Sequence, residues 1–449
     1  MSKSNLPDIN NCRVAIIGLG YVGLPLAIAL AKKKRCFLTK KSLKRDIVGF
    51  DANIQRVEEL NKGLDRNKIF KESYLNGINN LKITNKKKYL KNIDIYLITV
   101  PTPLNDKKEP DLSFIKRASM TVGESIKSDK KNKIIIYEST VYPGVTEDIC
   151  VPIIKVNSGK VYNSEKYKDS FYCGYSPERI NPGDKKHTVN SIVKVTSGCN
   201  KKIATFIDKF YGSFIEAGTF RSSSIKVAEA AKIIENTQRD INIALVNELS
   251  IFFRELKIDT NEVLKAAHTK WNFHKYRPGL VGGHCIGVDP YYLTYKAKQI
   301  GFNTKLISAG RTTNDYMYLY LFEQIKCKLE SRKEKIKNKK ILLLGLAYKS
   351  NCSDIRNSQL INLIEKIKNL GFYIDIVDPR VDKEEVRKKT GLLSLKSIPH
   401  KSKYALIIFA LYHNEFKSIT VKYLNKISYQ NTIIFDLTNQ LNGKNILHL

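Results

Sequence analysis

The chain has 449 residues, of which 42% are hydrophobic and 27% are charged, a composition typical of a soluble globular protein with about two to four domains. Such a composition excludes long disordered or low-complexity spans. Lysine and arginine (77) exceed aspartate and glutamate (43), which gives a net charge of +34. Because the basic residues are scattered, the charge favours a solvated surface over a nucleic-acid partner.

Targeting and metal-binding signals are absent from the sequence pattern. The start, MSKSNLPDIN, lacks the layout of a signal peptide, and the longest apolar runs, such as ALIIFAL at 405–411, are too short for a membrane helix. Eight cysteines are widely dispersed without a CxxC pair, which predicts reduced thiols rather than disulfides or a metal site. We therefore expect a cytoplasmic protein without membrane insertion.

Strand and helix patterns alternate from the start of the chain. A strand at 13–18 leads into a helix, and further strands are predicted at 46–51, 93–100 and 133–140. These strands are too apolar to have one exposed face, so the pattern predicts a parallel, doubly wound sheet.

A long helix and a second alternating series follow. Residues 222–256 begin with a serine cluster and contain neither glycine nor proline, which predicts one continuous helix. After a lysine-rich stretch, strands are predicted from ILLLG, YIDIVDP, YALIIFAL and TIIFDL. The predicted fold class is α/β, with two Rossmann-like doubly wound domains joined by a long central helix. The predicted domains are 1–215, 216–330 and 331–449.

The turn GLGYVG at 18–23 fits the GxGxxG pattern between a strand and a helix. Glycines at 18, 20 and 23 allow a tight turn and let a phosphate approach the helix N-terminus. The second strand ends in Asp51, which is placed to accept hydrogen bonds from an adenosine ribose and so to favour NAD over NADP. The long spacing to Asp51 is explained by a lengthened loop at 35–46.

Several polar residues follow predicted strands of the first module. Thr102 and Thr140 lie just past carboxyl ends, the edge at which ligands bind in open α/β sheets, although such threonines are also common as caps. Glu178 and Arg179 lie in a loop rich in proline and glycine. Their pair is either a surface salt bridge or a base beside an anion-binding cation.

The long helix has a polar face within an otherwise apolar segment. Lys232, Asn236 and Arg239 share one side of the helix, since they lie four and seven residues apart. An ammonium and a carboxamide together can stabilise an oxyanion, whereas the alternative is a solvated stripe.

The segment GLVGGHCIGVDP at 279–290 contains Cys285, which could be a buried residue, a metal ligand or a nucleophile. Gly282 and Gly283 permit close approach of the backbone to a ligand, and Asp289 is near the thiol in sequence. No metal spacing accompanies this cysteine. A catalytic cysteine combined with a dinucleotide site indicates oxidation through a thiohemiacetal and a thioester.

Seven motifs occur in order: GLGYVGLPLA, VPTPLNDKKEPDL, YESTVYPG, GYSPERINPGDKKH, KVAEAAKIIENTQRDINIALVNE, RPGLVGGHCIGVDPYYL and LGLAYKSNCSDIRNS. The set resembles the UDP-glucose/GDP-mannose dehydrogenase family over essentially the whole chain. Within that family it is most similar to the bacterial UDP-N-acetylhexosamine 6-dehydrogenases of the Vi-capsule and O-antigen type.

The resemblance implies an N-terminal NAD-binding domain, a central helical region with the contact of a homodimer, and a C-terminal domain that holds UDP. It implies Cys285 as the nucleophile, Lys232 and Asn236 as oxyanion-stabilising residues, Glu178 as the acid/base, and Asp289 near the thiol. The implied cofactor positions are Gly18, Gly20, Val22, Gly23, Asp51, Arg56, Thr102, Thr140 and Arg356. The implied substrate positions are Arg179, Ile180, Lys232, Asn236, Arg239, Arg277, Gly282 and Lys349, with His274 as a weaker candidate.

The predicted reaction is the four-electron oxidation of C6 of UDP-GlcNAc or UDP-GalNAc to the uronate, with NAD as cofactor, for surface polysaccharide biosynthesis. UDP-glucose dehydrogenases often have a second acidic residue where this chain has Pro182, which favours the N-acetyl branch. UDP-ManNAc and UDP-glucose remain alternative substrates, and the net charge leaves a basic nucleic-acid-binding protein as an alternative of a different class.

Overall fold

The computed structural model of the protein describes residues 6–65, 75, 77–180, 189–331, 339–400, 402–443 and 445–449. The chain divides into two compact units. Unit 1 contains residues 1–235 and 291–300, and unit 2 contains residues 236–290 and 301–449. The three-domain boundaries stated above stay a prediction.

Unit 1 is built around a parallel six-stranded sheet. The strands lie across the sheet in the order β3-β2-β1-β4-β5-β6. The chain therefore adds strands on one side of β1 first and on its other side afterwards, as in dinucleotide-binding folds. The four strands predicted in this module are confirmed as β1, β2, β4 and β5. The strands are β1 (Asn11–Ile17), β2 (Lys44–Phe50), β3 (Leu81–Thr84), β4 (Ile95–Ile98), β5 (Lys133–Tyr137) and β6 (Phe171–Tyr175).

Helices and a small parallel ribbon complete the N-terminal part of the chain. The ribbon consists of β7 (Lys194–Thr196) and β8 (Thr219–Arg221). The lengthened loop before β2 is closed by a bridge between Arg35 and Ser42. The helices are α1 (Gly23–Lys32), α2 (Ile54–Asn61), α3 (Ser113–Ile126), α4 (Val151–Ser158) and α5 (Lys201–Gly212).

The predicted long helix is confirmed as α6 (Ile225–Glu255), which has 31 residues. Ser224, from the predicted serine cluster, accepts a hydrogen bond from the backbone N–H of Val227 at 3.2 Å and so satisfies one of the free donors of the first turn. Three further helices follow before the second sheet: α7 (Thr260–Ala267), α8 (Asp289–Gln299) and α9 (Lys305–Glu330). Within the described ranges, no helix is both long enough and apolar enough to cross a bilayer.

Unit 2 contains a second parallel six-stranded sheet with the same order of connections, β11-β10-β9-β12-β13-β14. The four predicted strands of this module are confirmed as β9, β10, β12 and β13. The strands are β9 (Lys340–Leu344), β10 (Tyr373–Val377), β11 (Ser394–Leu395), β12 (Tyr404–Phe409), β13 (Ser428–Asp436) and β14 (Ile446–Leu447). The helices of this series are α10 (Gln359–Lys368), α11 (Lys383–Thr390) and α12 (Val421–Lys426).

The apolar runs of the second sheet are explained by burial of both sheet faces. Ile341 and Leu343 belong to the hydrophobic core on one face, and Leu342 and Leu344 belong to the core on the other. Successive side chains of a strand point to opposite faces, so a strand covered on both sides must be apolar throughout. The predicted α/β class with two Rossmann-like sheets is therefore confirmed.

Candidate functional site

The glycine-rich turn of unit 1 connects β1 to α1. Gly18 adopts a φ of +99°, which L side chains rarely adopt, and its N–H donates to Phe50 O at 2.8 Å. A Cβ on Gly23 would lie 1.8 Å from Gly18 O, so only glycine lets the helix start this close to the strand. A Cβ on Gly20 would meet no protein atom within 4 Å. The turn therefore leaves open space at the position where a phosphate approaches.

Asp51 lies at the end of β2, beside the same turn. One of its carboxylate oxygens accepts from Leu19 N at 2.8 Å, and the other accepts from Asn53 N at 2.9 Å. Arg56 is buried, and its Nε donates to Leu19 O at 3.0 Å. Asp51 remains partly exposed. Together with the glycines and Val22, which precedes the first residue of α1, these residues fit a dinucleotide with its ribose at Asp51.

The two threonines at strand ends lie together. Thr102 Oγ1 donates to Thr140 O at 2.6 Å, which joins the loops after β4 and β5. Tyr292 in α8 donates to Thr102 O. Both threonines are partly exposed, so these two residues at the sheet edge are accessible to a ligand.

Glu178 lies in the loop after β6 and is 9% exposed. Its Oε1 accepts from the N–H groups of Arg179 and Ile180, both at 2.7 Å, and its Oε2 lies 3.3 Å from Lys194 Nζ. The Arg179 guanidinium pairs with Glu235 at 2.7 Å. The predicted acid/base and its neighbours therefore form an ordered cluster, and the salt bridge of Arg179 is made with α6 rather than with Glu178.

Two of the three predicted polar residues of α6 are buried, so these two are not part of a solvated stripe. Lys232 is 8% exposed and Asn236, one turn later, is 7% exposed, whereas Arg239 is exposed. A buried ammonium and a buried carboxamide on one helix retain the electrostatic strength that an oxyanion-stabilising pair requires.

Unit 2 brings three of the predicted catalytic residues together. Asp289, the first residue of α8, donates its backbone N–H to Cys285 O at 2.8 Å. Its Oδ2 accepts from Asn236 Nδ2 at 2.6 Å. Asp289 is 2% exposed and Cys285 is partly exposed. Asp289 thus connects the cysteine loop to α6, and the thiol remains accessible.

The glycines before Cys285 pack against the loop that follows β9. A Cβ on Gly282 would lie 2.5 Å from Asn357 O, and one on Gly283, whose φ is +84°, would lie 2.5 Å from the Tyr348 ring. At these two glycines the backbone of the cysteine loop therefore lies close to Asn357 and Tyr348 of the same chain. A larger residue at either position would displace the cysteine loop.

A charged cluster fixes the same two loops. His284 pairs with Asp354, and Arg356 Nη2 donates to the same carboxylate at 2.8 Å. Burial alone would raise the pKa of Asp354, but the bonds from His284 and Arg356 outweigh it and hold that pKa well below its usual range. The predicted cofactor residue Arg356 thus helps to hold Asp354, beside His284 and the cysteine loop.

A cavity of ≈ 490 Å³ lies in unit 2 at the carboxyl ends of β9, β12 and β13. The order of strand connections reverses between the neighbouring strands β9 and β12. Ligands bind at this position in such folds. Lys349 and Gly282, both predicted substrate residues, line the cavity. Its lining also includes Tyr348, Tyr412, Thr438 and Gln440.

The second sheet has its own carboxylate at the place that Asp51 occupies in the first. Asp378 accepts from Leu346 N at 2.8 Å and Ala347 N at 3.1 Å, and it also contacts His413 at 3.2 Å. Asp378 is 2% exposed, so it is committed to the protein and is not accessible to a ribose. The two sheets therefore differ at the residue that distinguishes a dinucleotide site.

The remaining predicted residues lie at the margins. Arg277 and His274 are exposed in the segment before the cysteine loop. Pro182 lies outside the described residues. Across the part of the chain that the structure describes, no group of three or more His, Cys, Asp or Glu residues is arranged to hold a metal ion.

Sequence reasoning missed four buried or pocket residues near these sites: Glu138, Lys194, Thr438 and Gln440. Glu138 directly follows an apolar strand, and Lys194 begins the short strand KVT. For Glu138 and Lys194 the available signal was a charged residue next to or within an apolar segment. The two residues are 56 positions apart in sequence, so their pairing could not be identified without the fold.

Comparison with known proteins matches three consecutive parts of one family. The profile of the UDP-glucose/GDP-mannose dehydrogenase NAD binding domain matches residues 12–215, that of the central domain matches 226–316, and that of the UDP binding domain matches 342–443. The chain belongs to the UDP-glucose/GDP-mannose dehydrogenase family. It is therefore an NAD-dependent nucleotide-sugar dehydrogenase. Most residues that line the cavity of unit 2 lie in the part matched by the UDP binding domain, and Gly279, Leu280 and Gly282 lie in the part matched by the central domain.

Members of this family with similar sequences are known from several organisms. The chain is 46% identical over 429 residues to a UDP-N-acetyl-D-glucosamine 6-dehydrogenase of Salmonella typhi, covering 96% of each chain. It is 44% identical over 429 residues to a protein of that name from Pseudomonas aeruginosa, covering 96% of this chain and 97% of the other. A solved UDP-D-ManNAc dehydrogenase from Pyrococcus horikoshii is 29% identical, with a TM-score of 0.83, and covers 97% of this chain and 98% of its own.

Proposed function

We propose that this dehydrogenase oxidises the C6 hydroxyl of UDP-N-acetylglucosamine to the carboxylate, and that the uronate serves surface polysaccharide synthesis. The choice of sugar is supported by the 46% and 44% identity to enzymes of that name, against 31% and 32% to UDP-N-acetyl-D-mannosamine dehydrogenases. The observation that carries the covalent chemistry is the link from Cys285 through Asp289 to Asn236. That link joins the backbone of the partly exposed Cys285 to the buried amide of Asn236.

The chemistry of the proposed mechanism is divided among these side chains. NAD, held at the glycine turn and Asp51, would supply the hydride acceptor for each of the two oxidations. In the first oxidation Lys232 assists loss of the C6 hydroxyl proton to water. The sulfur of Cys285 then adds to the aldehyde carbon to form a thiohemiacetal, and oxidation of that adduct leaves a thioester.

Hydrolysis completes the proposed reaction. Glu178 takes one proton from water as the water oxygen attacks the thioester carbonyl carbon, and the carbon–sulfur bond breaks to release the Cys285 thiolate and the carboxylic acid, which loses its remaining proton to solvent. The Lys232 ammonium and the Asn236 amide donate to the oxyanions that form on the way. Their burial strengthens these interactions, because water does not screen them.

Binding of the nucleotide sugar is assigned to the cavity of unit 2 and to basic residues of the predicted set. Lys349 and Gly282 line that cavity, and Lys349 supplies positive charge for the diphosphate. We assign substrate contacts also to Arg179, Ile180, Arg239 and Arg277, of which the last two have exposed side chains suited to an anionic ligand.

We also propose that the enzyme is a homodimer. Four large apolar side chains on α6 are about half exposed: Val227 (48%), Ile234 (54%), Leu245 (56%) and Phe252 (54%). Their spacing of seven, eleven and seven residues keeps them along one stripe of the helix. A stripe of this kind is expected to be buried against a second copy of the chain.

The glycine turn provides a test of NAD binding. Gly20→Ala adds a methyl group where no protein atom lies within 4 Å, so we expect normal folding with NAD affinity reduced, because the methyl occupies the space left for the phosphate. Gly23→Ala places its methyl against Gly18 O and is expected to lower the free energy of unfolding by about 1–3 kcal/mol or more. NAD titration by fluorescence and thermal unfolding separate the two effects. Unchanged NAD affinity in Gly20→Ala contradicts the assigned role.

A substrate panel tests the proposed sugar. NADH formation is measured with UDP-GlcNAc, UDP-GalNAc, UDP-ManNAc and UDP-glucose at equal concentrations. We expect UDP-GlcNAc to give the highest kcat/KM. A preference for UDP-ManNAc would overturn the proposed substrate and leave the family assignment unchanged.

A further inference from the structure

Three charged side chains of unit 1 are buried in one cluster. The proposed mechanism gives a role to Glu178 but none to Glu138 or Lys194. Lys194 Nζ lies 2.7 Å from Glu138 Oε2 and 3.3 Å from Glu178 Oε2. The side chains of Glu138, Lys194 and Glu178 are 0%, 4% and 10% exposed. The Lys194 ammonium therefore contacts two carboxylates, and all three groups are almost completely shielded from water.

Each member of the cluster comes from a different element of unit 1. Glu138 directly follows β5, Glu178 lies in the loop after β6, and Lys194 is the first residue of β7. Tyr211 on α5 donates its hydroxyl to Glu138 Oε1, and Lys194 Nζ lies 5.3 Å from the centre of its ring. The cluster is thus enclosed by packed elements rather than formed by flexible surface side chains.

The charge of Lys194 is secured by its two partners. Burial alone would lower the pKa of Lys194, but the charges of Glu138 and Glu178 outweigh it and raise that pKa. The ammonium is therefore retained at neutral pH. A buried ion pair of this kind contributes little to stability compared with apolar residues, so its retention calls for another explanation.

The position of Glu178 within the cluster supplies that explanation. Two backbone N–H groups hold its Oε1 at 2.7 Å, and Lys194 holds its Oε2. An oxygen that accepts one bond from an ammonium can accept a second from a water molecule. The neighbouring charge of Arg179 is directed to Glu235 and to Val193 O, which leaves Lys194 as the cation in contact with the carboxylate among the described side chains.

We infer that Lys194 is a positioning residue for Glu178, which it keeps ionised and oriented as a base, and that Glu138 moderates this effect by sharing the ammonium. The inference rests on the proposed role of Glu178 in thioester hydrolysis. Among the described residues, the groups of this cluster that act on Glu178 are Lys194 from β7, Glu138 from the end of β5 and, through Glu138, Tyr211 from α5. Lys194 favours the carboxylate form of its partners, and Glu138 competes with Glu178 for the same ammonium. Burial outweighs the effect of Lys194 on Glu138 and raises the pKa of Glu138.

The two partners predict shifts in opposite directions. Lys194→Met removes the stabilising cation, so the acidic limb of the pH–rate profile for thioester hydrolysis is expected to move up by about 1–3 pH units. Glu138→Gln removes the acid that competes for the Lys194 ammonium, so Lys194 interacts more strongly with Glu178 and that limb is expected to move down. Lys194→Arg keeps the charge and is expected to restore the profile in part. Simple loss of stability would not shift the two profiles in opposite directions.

The rate is measured as the loss of the acyl group from Cys285 by mass spectrometry after acid quench, in single turnover with UDP-GlcNAc at each pH. The matched control is Lys202→Met, which removes a lysine from an exposed pair with Glu165 and is expected to leave the profile unchanged. Identical midpoints in the wild type, Lys194→Met and Glu138→Gln would overturn the inference. If Lys194→Met does not fold, Glu138→Gln decides alone: a downward shift supports the inference and no shift overturns it.

A second readout does not depend on turnover. The Glu178 carboxylate is titrated by infrared spectroscopy of protein labelled with ¹³C-glutamate, as the difference from Glu178→Gln, and the same opposite shifts are expected. Should the wild type form no NADH with any UDP-sugar while these shifts occur, the proposed reaction fails and the Lys194 inference stands. Absence of the shifts in an active enzyme overturns the inference alone.

Discussion

Cys285→Ser is expected to lower the rate of acid formation by roughly 10³-fold or more while leaving NAD affinity unchanged, because the proposed thioester cannot form on serine with the reactivity of sulfur. A serine hydroxyl is a far weaker nucleophile near neutral pH than a cysteine thiol. The bond from Asp289 N goes to the backbone carbonyl of residue 285, so the substitution leaves it in place. The folded structure should therefore be retained.

The measurement for Cys285→Ser is steady-state NADH release together with the equilibrium binding of NAD and of UDP. Cys327→Ser is the matched control, since Cys327 is an exposed free thiol on α9 and has no assigned role. We expect Cys327→Ser to turn over normally. Wild-type turnover to the acid by Cys285→Ser contradicts the covalent mechanism.

Glu178→Gln is expected to stall the enzyme after the second oxidation. The amide has the shape of the carboxylate and can still accept from Arg179 N and Ile180 N, but it cannot take a proton from water. Loss of a general base predicts a fall in kcat of about 10²–10⁴-fold. Because both oxidations precede hydrolysis, a burst of two NADH per active site should still occur.

The stalled species is detected directly. Intact-protein and peptide mass spectrometry of Glu178→Gln, quenched after the burst, should locate the sugar adduct on the peptide that contains Cys285. Glu165→Gln is the control, because Glu165 lies in an exposed ion pair with Lys202. Full turnover by Glu178→Gln, without an accumulated adduct, would assign the hydrolytic base to another group.

The fold was largely predictable because its signals are local. The apolar strands, the glycine turn at 18–23 and the long helix α6 each follow from short stretches of sequence, and the structure confirms all of them. The short strands β3 and β6 were not predicted. β3 has only four residues, with the side chains of Leu81 and Ile83 half-buried, and β6 contains Cys173 and Gly174 within an aromatic segment.

Residues of the candidate site were predictable only where a single short motif identifies them. Contacts between residues that are distant in sequence were not predictable. Asp51 and Cys285 could be singled out from their own motifs, but the bond between Asn236 and Asp289 joins residues 53 positions apart. The buried cation shared by Glu138 and Glu178 was not predictable, because Lys194 is 56 residues from one partner and 16 from the other. The packing of Gly283 against Tyr348 likewise depends on the tertiary fold.

The central claim is that one enzyme carries out two successive oxidations at C6 through Cys285. It is tested most directly by the NADH formed per mole of limiting UDP-GlcNAc, measured at completion with the sugar product identified by mass spectrometry. The account predicts two NADH and the uronate. One NADH with an aldehyde product, or no NADH from UDP-GlcNAc, would contradict it.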